Sequence, residues 1–152
     1  MRIPSGVTYD RIKVGDVFEH RLTVTETHLV TAAGMFGDFN PLHVDELFAT
    51  HSLYGTRIFH GPFTAALMST AIGIYFAGTA IGFLEHNCRF IAPVRPGDTL
   101  NTKWNVTGKV DKIKHDGGIV ELAAVCKNQD SVRVAEGEGK VLVRSGDGIA
   151  VS

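Results

Sequence analysis

A chain of 152 residues, 44% hydrophobic and 20% charged, has room for one compact domain with a sizeable core and is too apolar to be disordered. Its formal net charge of -1 supplies no basic field for nucleic acid, so an anionic ligand would be caught by local charges or backbone N–H groups. Two cysteines, Cys88 and Cys126, are too few for a disulfide framework or a zinc ribbon and suit a reducing cytoplasm.

Residues 1–6 show no apolar run behind a basic start, so no secretory signal is expected. Gly15-Asp16 reads as a turn, and residues 17–24 as a first strand. Thr25 or Thr27 can cap a helix over 28–33 that fades at Gly34. Residues 35–42 contain Gly37, Asp38, Asn40 and Pro41, the composition of a loop. Residues 45–49 resemble one or two helical turns with acids at the start, and 51–58 read as loop.

Residues 61–84 carry no charged side chain, a run long enough to suggest a membrane span. Four glycines, Pro62 and several hydroxyls interrupt it, so a helix buried in protein is expected instead, with no membrane anchor. Pro62 suits the first helical position and Gly78 the stop, which predicts a helix over 62–77. Phe63, Leu67, Met68, Ile72, Ile74, Tyr75 and Phe76 place apolar groups on nearly every face, so other structure must wrap it. Strands follow at 84–91, 99–110, 119–127, 132–134 and 139–143, with turns at 93–98 and 128–130. A buried helix followed by meandering strands suggests one α+β domain over 1–152, an antiparallel sheet curled around a long central helix. Neither a dinucleotide fingerprint nor a phosphate-binding loop is present.

The densest chemistry is in Gly37-Asp38-Phe39-Asn40-Pro41-Leu42-His43. Asp38 and His43 can share acid–base work on one water, while Pro41 stiffens the backbone and keeps Asn40 extended. The same residue types also build Asx turns with no chemistry, and the spacing leaves both readings open. A second cluster, Ile58-Phe59-His60-Gly61-Pro62, lies where the central helix begins. Outward-pointing N–H groups and the helix dipole favour a developing oxyanion there, with Gly61 offering an unobstructed approach. For His60 alone, a packing histidine at a loop–helix junction is the favoured reading.

These residues resemble the MaoC-like family, which includes the R-specific enoyl-CoA hydratases on the hot-dog fold. Residues 37–43 match its Gly-Asp-x-Asn-Pro-x-His signature at every fixed position, and Ile58-Phe59-His60-Gly61 matches its Ile-x-His-Gly element. A strand leading into Pro93-Val94-Arg95-Pro96-Gly97-Asp98-Thr99 matches a third element, in the same order along the chain. The resemblance implies hydration of a trans-2-enoyl thioester, or the reverse dehydration, with Asp38 and His43 as a dyad. Asn40 would help place the dyad and the Gly61 N–H would hold the oxyanion. The resemblance implies no metal or redox cofactor. It also implies a homodimer at least, with sheets joined edge to edge and the acyl tunnel near the interface. Either CoA or an acyl carrier protein fits as the carrier.

The sequence departs from the family pattern at Phe36, where a small residue is common, at Phe59, where alanine is common, and at Pro62. Phe36 and Phe59, with His60, are therefore candidate substrate-binding residues that would reshape the acyl pocket. Arg57, Arg89 and Arg95 are candidate contacts for the carrier's phosphates, which guanidinium geometry suits. A hot-dog thioesterase is the main rival, but it needs a carboxylate near the thioester, often from the central helix, and residues 62–76 have none. A non-catalytic acyl-thioester binding module would lack Asp38 or His43. His43, His51 and His60 do not have zinc-type spacing, so no metal site is expected.

Overall fold

The computed structural model describes residues 6–146, so most of the N-terminal stretch read above for a leader lies outside it. The described residues form one five-stranded sheet in the order β1-β3-β4-β5-β2, antiparallel at every pairing. The strands are β1 (Val17–Thr23), β2 (Ala80–Phe90), β3 (Thr99–Lys112), β4 (Gly117–Lys127) and β5 (Arg133–Arg144). Four helices, α1 (Glu26–Phe36), α2 (Pro41–Val44), α3 (Glu46–Thr50) and α4 (Gly61–Tyr75), fill the stretch between β1 and β2. This is the α+β layout that the sequence predicts.

The strands form because apolar residues recur every second position. In β4, Val120, Leu122, Ala124 and Cys126 are buried, and in β3 Leu100, Trp104 and Val106 are. The register sets Trp104 opposite Ala124 and Val106 opposite Leu122, so both rows share one buried face. Against that face lies α4, burying Thr64, Met68, Ala71 and Ile72. Trp104 donates its Nε1–H to the Met68 carbonyl at 2.9 Å, tying sheet to helix through a buried bond.

Several boundaries differ from the sequence reading. The helix expected to fade at Gly34 continues to Phe36 and stops at Gly37, whose φ of +68° is the left-handed cap glycine tolerates best. Its N-cap is Thr25, whose N–H donates to His28 Nδ1 in the place a capping-box glutamate usually fills. The loop read over 35–42 ends earlier, because Pro41 opens a single helical turn, α2. The two short segments at 132–134 and 139–143 are one continuous β5. The sheet wraps only part of α4, leaving Ile74 59% exposed. Among the described residues no helix is long and apolar enough to cross a membrane.

Candidate active site

Asp38 follows the glycine that ends α1, and its position is set locally. Its Oδ1 accepts the Asn40 N–H at 3.1 Å, and Asn40 Oδ1 accepts the Leu42 N–H at 3.0 Å to open α2. The Asx-turn reading of this segment is therefore realised, but it uses one oxygen of the Asp38 carboxylate and leaves Oδ2 for chemistry. Asn40 bears on His43 through the backbone, by capping the turn that carries it.

His43 Nδ1 lies 2.7 Å from the Ile58 carbonyl oxygen. A carbonyl can only accept, so Nδ1 carries the proton and the lone pair of the neutral ring sits on Nε2. That Nε2 lies 3.9 Å from Asp38 Oδ2. The gap is too long for a direct hydrogen bond and matches two acceptors sharing one small donor. The His43 side chain is 12% exposed and that of Asp38 is 52% exposed, so Asp38 is the more solvated of the two.

A cleft of about 320 Å³ borders His43, Tyr54, Gly61, Thr64, Phe90 and Val94. Gly61 opens α4, and among the described residues no carbonyl accepts its N–H. A Cβ on Gly61 would meet Phe90 Cε2 at 2.8 Å, so the glycine is what lets that ring lie against the helix start. The residue with this unpaired helix-terminal N–H thus borders the same cleft as His43, while Asp38 lies outside the cleft's lining.

The sequence-predicted substrate residues divide. Phe59 borders the cleft, yet it is buried and stacks on Phe63 at 4.8 Å, in the core. Phe36 packs T-shaped against His60 at 5.6 Å and is not among the residues that border the cleft. His60 itself is buried, stacked on His43 with centroids 3.7 Å apart, and does not border the cleft. Tyr54, Thr64 and Phe90 are cleft residues that the sequence reading did not single out as site residues. Phe90 belongs to the third motif element, a signal that was available; Tyr54 and Thr64 carry none.

Of the three arginines, Arg57 is already paired with Glu26 Oε1 at 2.7 Å and Glu46 Oε2 at 2.8 Å. It clamps α1 and α3 to the segment before α4, and its bond to Glu46, with a second from Thr56, holds the Glu46 carboxyl below its ordinary range. Arg89 pairs with Glu136 and borders a separate hollow of about 420 Å³ on the sheet's outer face, which neither dyad residue touches. Arg95 donates to the Tyr54 carbonyl at 3.1 Å, beside the cleft, and its guanidinium keeps further donors.

Asp38, His43 and His60 offer atoms all within 4.8 Å of one another, a grouping a metal ion could use. The stacked imidazoles argue against it, since near-parallel rings send their in-plane lone pairs side by side instead of toward one point. One nitrogen of each ring is bonded to a backbone carbonyl, which leaves His43 Nε2 and His60 Nδ1 as the open nitrogens. His51 is spent elsewhere, its Nδ1 bonded to the Leu47 carbonyl.

The profile of the MaoC-like domain matches residues 11–127. The chain belongs to the MaoC-like family. An (R)-specific enoyl-CoA hydratase of Rhodospirillum rubrum is 33% identical over 89% of this chain and 90% of that protein. A 3-hydroxybutyryl-CoA dehydratase of Methylorubrum extorquens is 32% identical over 89% of this chain and 83% of its own length. The R-hydratase PhaJ1 of Pseudomonas aeruginosa, solved unliganded, superposes with a TM-score of 0.83 at 28% identity, covering 97% of this chain and 92% of that one. The sheet and helix described above are thus the MaoC-like hot-dog fold.

Proposed function

We propose that this MaoC-like chain is an acyl-CoA hydratase or dehydratase, interconverting a trans-2-enoyl thioester and an (R)-3-hydroxyacyl thioester. The observation that carries the reading is the Asp38–His43 pair, with its free Oδ2 and Nε2 facing each other across 3.9 Å. A water donating to both at an ordinary distance of about 2.8 Å would subtend roughly 90° at its oxygen, close to its own bond angle. The relatives' names support the substrate class and the stereochemistry.

In hydration the water oxygen bonds to C3 of the enoyl group while a dyad member takes its proton. The electrons of the double bond shift toward the thioester carbonyl, and the Gly61 N–H and the α4 dipole stabilise the oxygen as it becomes negative. A proton returned to C2 completes the addition, and dehydration retraces these steps. The absence of a carboxylate on α4 separates this site from a thioesterase that would use one there. Arg95, beside the cleft mouth, is the guanidinium best placed for the carrier's phosphates. The free thiols of Cys88 and Cys126, on strands separated by β5, fit a cytoplasmic protein.

A panel of trans-2-enoyl-CoA chain lengths, followed by loss of the conjugated thioester absorbance, tests the reading. Hydration to the (R)-alcohol of at least one member is expected. Release of free CoA thiol without hydration would make the chain a thioesterase.

A further inference from the structure

We infer that His60 is the positioning residue of the dyad, an internal anchor that holds Asp38 and His43 at their separation and never touches substrate. The inference rests on the hydratase reading and assigns His60 a role different from substrate binding. Four observations carry it. His60 is 1% exposed. Its Nε2 lies 2.9 Å from the backbone carbonyl of Asp38. Its ring stacks on that of His43 with centroids 3.7 Å apart and planes 29° off parallel. Phe36 packs T-shaped against the same ring with centroids 5.6 Å apart.

The Asp38 carbonyl can only accept, so Nε2 bears the proton and Nδ1 keeps a bare lone pair. Consistently, Nδ1 is buried with no hydrogen-bond partner. Both histidines thus give one N–H to a backbone carbonyl, in opposite tautomers: His43 through Nδ1 to Ile58, His60 through Nε2 to Asp38. The consequence is mechanical. Asp38 sits on an irregular segment between α1 and α2, where its own Asx turn fixes the carboxylate only relative to Asn40. The bond from His60 ties that segment to the N-cap of α4, the element that also supplies the Gly61 N–H. The stack fixes the plane of the His43 ring from behind. One buried imidazole therefore sets three groups of the reaction in a common frame, and a shift of about 1 Å in any of them is costly in rate. Phe36 becomes the backing of this anchor in place of a wall of the acyl pocket.

The test combines nitrogen-resolved NMR of the histidine rings with three variants. At neutral pH the wild-type protein should show His60 with the proton on Nε2 and His43 with it on Nδ1. His60→Ala should lower kcat by roughly tenfold or more, the size expected for losing one positioning hydrogen bond, with KM for the enoyl-CoA within about twofold of wild type. His60→Gln, whose amide N–H can reach the Asp38 carbonyl, should recover much of that loss. His60→Phe, which keeps a ring against His43 and loses the N–H, should not. A raised KM with unchanged kcat would make His60 a substrate contact and overturn the proposal. A fall in kcat that tracks the melting temperature across all three variants, with no recovery in His60→Gln, would reduce the residue to packing and overturn it too. An Nδ1–H tautomer at His60 would do the same irrespective of activity. Wild-type protein that hydrates no enoyl-CoA would instead remove the hydratase reading, and the ring tautomers would then decide whether the anchor exists.

Discussion

At the scale of single residues, the site depends on which atoms are already spoken for. Asp38 gives one oxygen to its own loop and His43 gives one nitrogen to Ile58, and what remains faces across a gap sized for one water. The motif residues were legible in the sequence because their chemistry is local. The tautomers were not, because they depend on Ile58 and on a histidine 22 positions from Asp38 that only folding brings near. Gly61 gives a sharp test of the cleft. Alanine there would place its Cβ 2.8 Å from the Phe90 ring, and the half-exposed ring must yield, being the freer partner. Gly61→Ala should therefore keep the melting temperature within a few degrees, of order 1 kcal/mol, while kcat/KM for enoyl-CoA falls about tenfold or more. Unchanged kinetics would show that the Phe90–Gly61 contact does not shape the site.

At the scale of elements, the sequence located every strand and the central helix, and it erred where glycine serves packing. Glu136-Gly137-Glu138-Gly139 looks like a break, so β5 read as two pieces. A Cβ on Gly137 would lie 2.4 Å from the Asn87 carbonyl oxygen, and one on Gly139 would touch Trp104 at 3.5 Å. These glycines let β2 and the Trp104 ring come close, a reason that no local pattern displays. On the neighbouring β2, His86 packs against Trp104 and Phe83, with its Nε2 buried and unpartnered. Burial lowers its pKa below the ordinary 6.5. Above 6.5 the ring is neutral in folded and unfolded chains alike. As pH falls below that value the unfolded chain takes up a proton that the folded one resists, so stability declines until the folded-state pKa is passed. Between about pH 7.5 and 5.5 the wild-type melting temperature should drop more than that of His86→Phe. Parallel declines in the two proteins would remove His86 as a source of the acid sensitivity.

At the scale of the whole molecule, one side of the structure looks unfinished. β2 is an edge strand that exposes Ile81, Phe83, Leu84 and Phe90, and Ile74 of α4 is exposed as well. The sequence demanded that α4 be wrapped on nearly every side, and the sheet of one chain covers only part of it. A second copy joined along β2 would supply the rest and remove an edge that otherwise invites aggregation. We therefore expect a homodimer, alone or as the unit of a larger oligomer, with the cleft residue Phe90 on the strand that pairs. Light scattering at micromolar protein should return at least twice the 16.4 kDa of the chain. Phe83→Asp should shift the protein toward the monomer. A wild-type monomer at that concentration would contradict this assembly.

The central claim is that Asp38 and His43 act as one unit on one water. The most direct measurement is the hydration rate of the best substrate in the enoyl-CoA panel for Asp38→Asn, His43→Gln and the double variant, each first shown to be folded with the wild-type oligomeric state. Asn preserves the shape of the Asp38 side chain and its bond from the Asn40 N–H while removing the basic oxygen. Each single variant should lose about 10²- to 10⁴-fold in kcat, and the double variant should be little worse than either one. Near-normal turnover in folded Asp38→Asn, or losses that multiply in the double variant, would contradict the account.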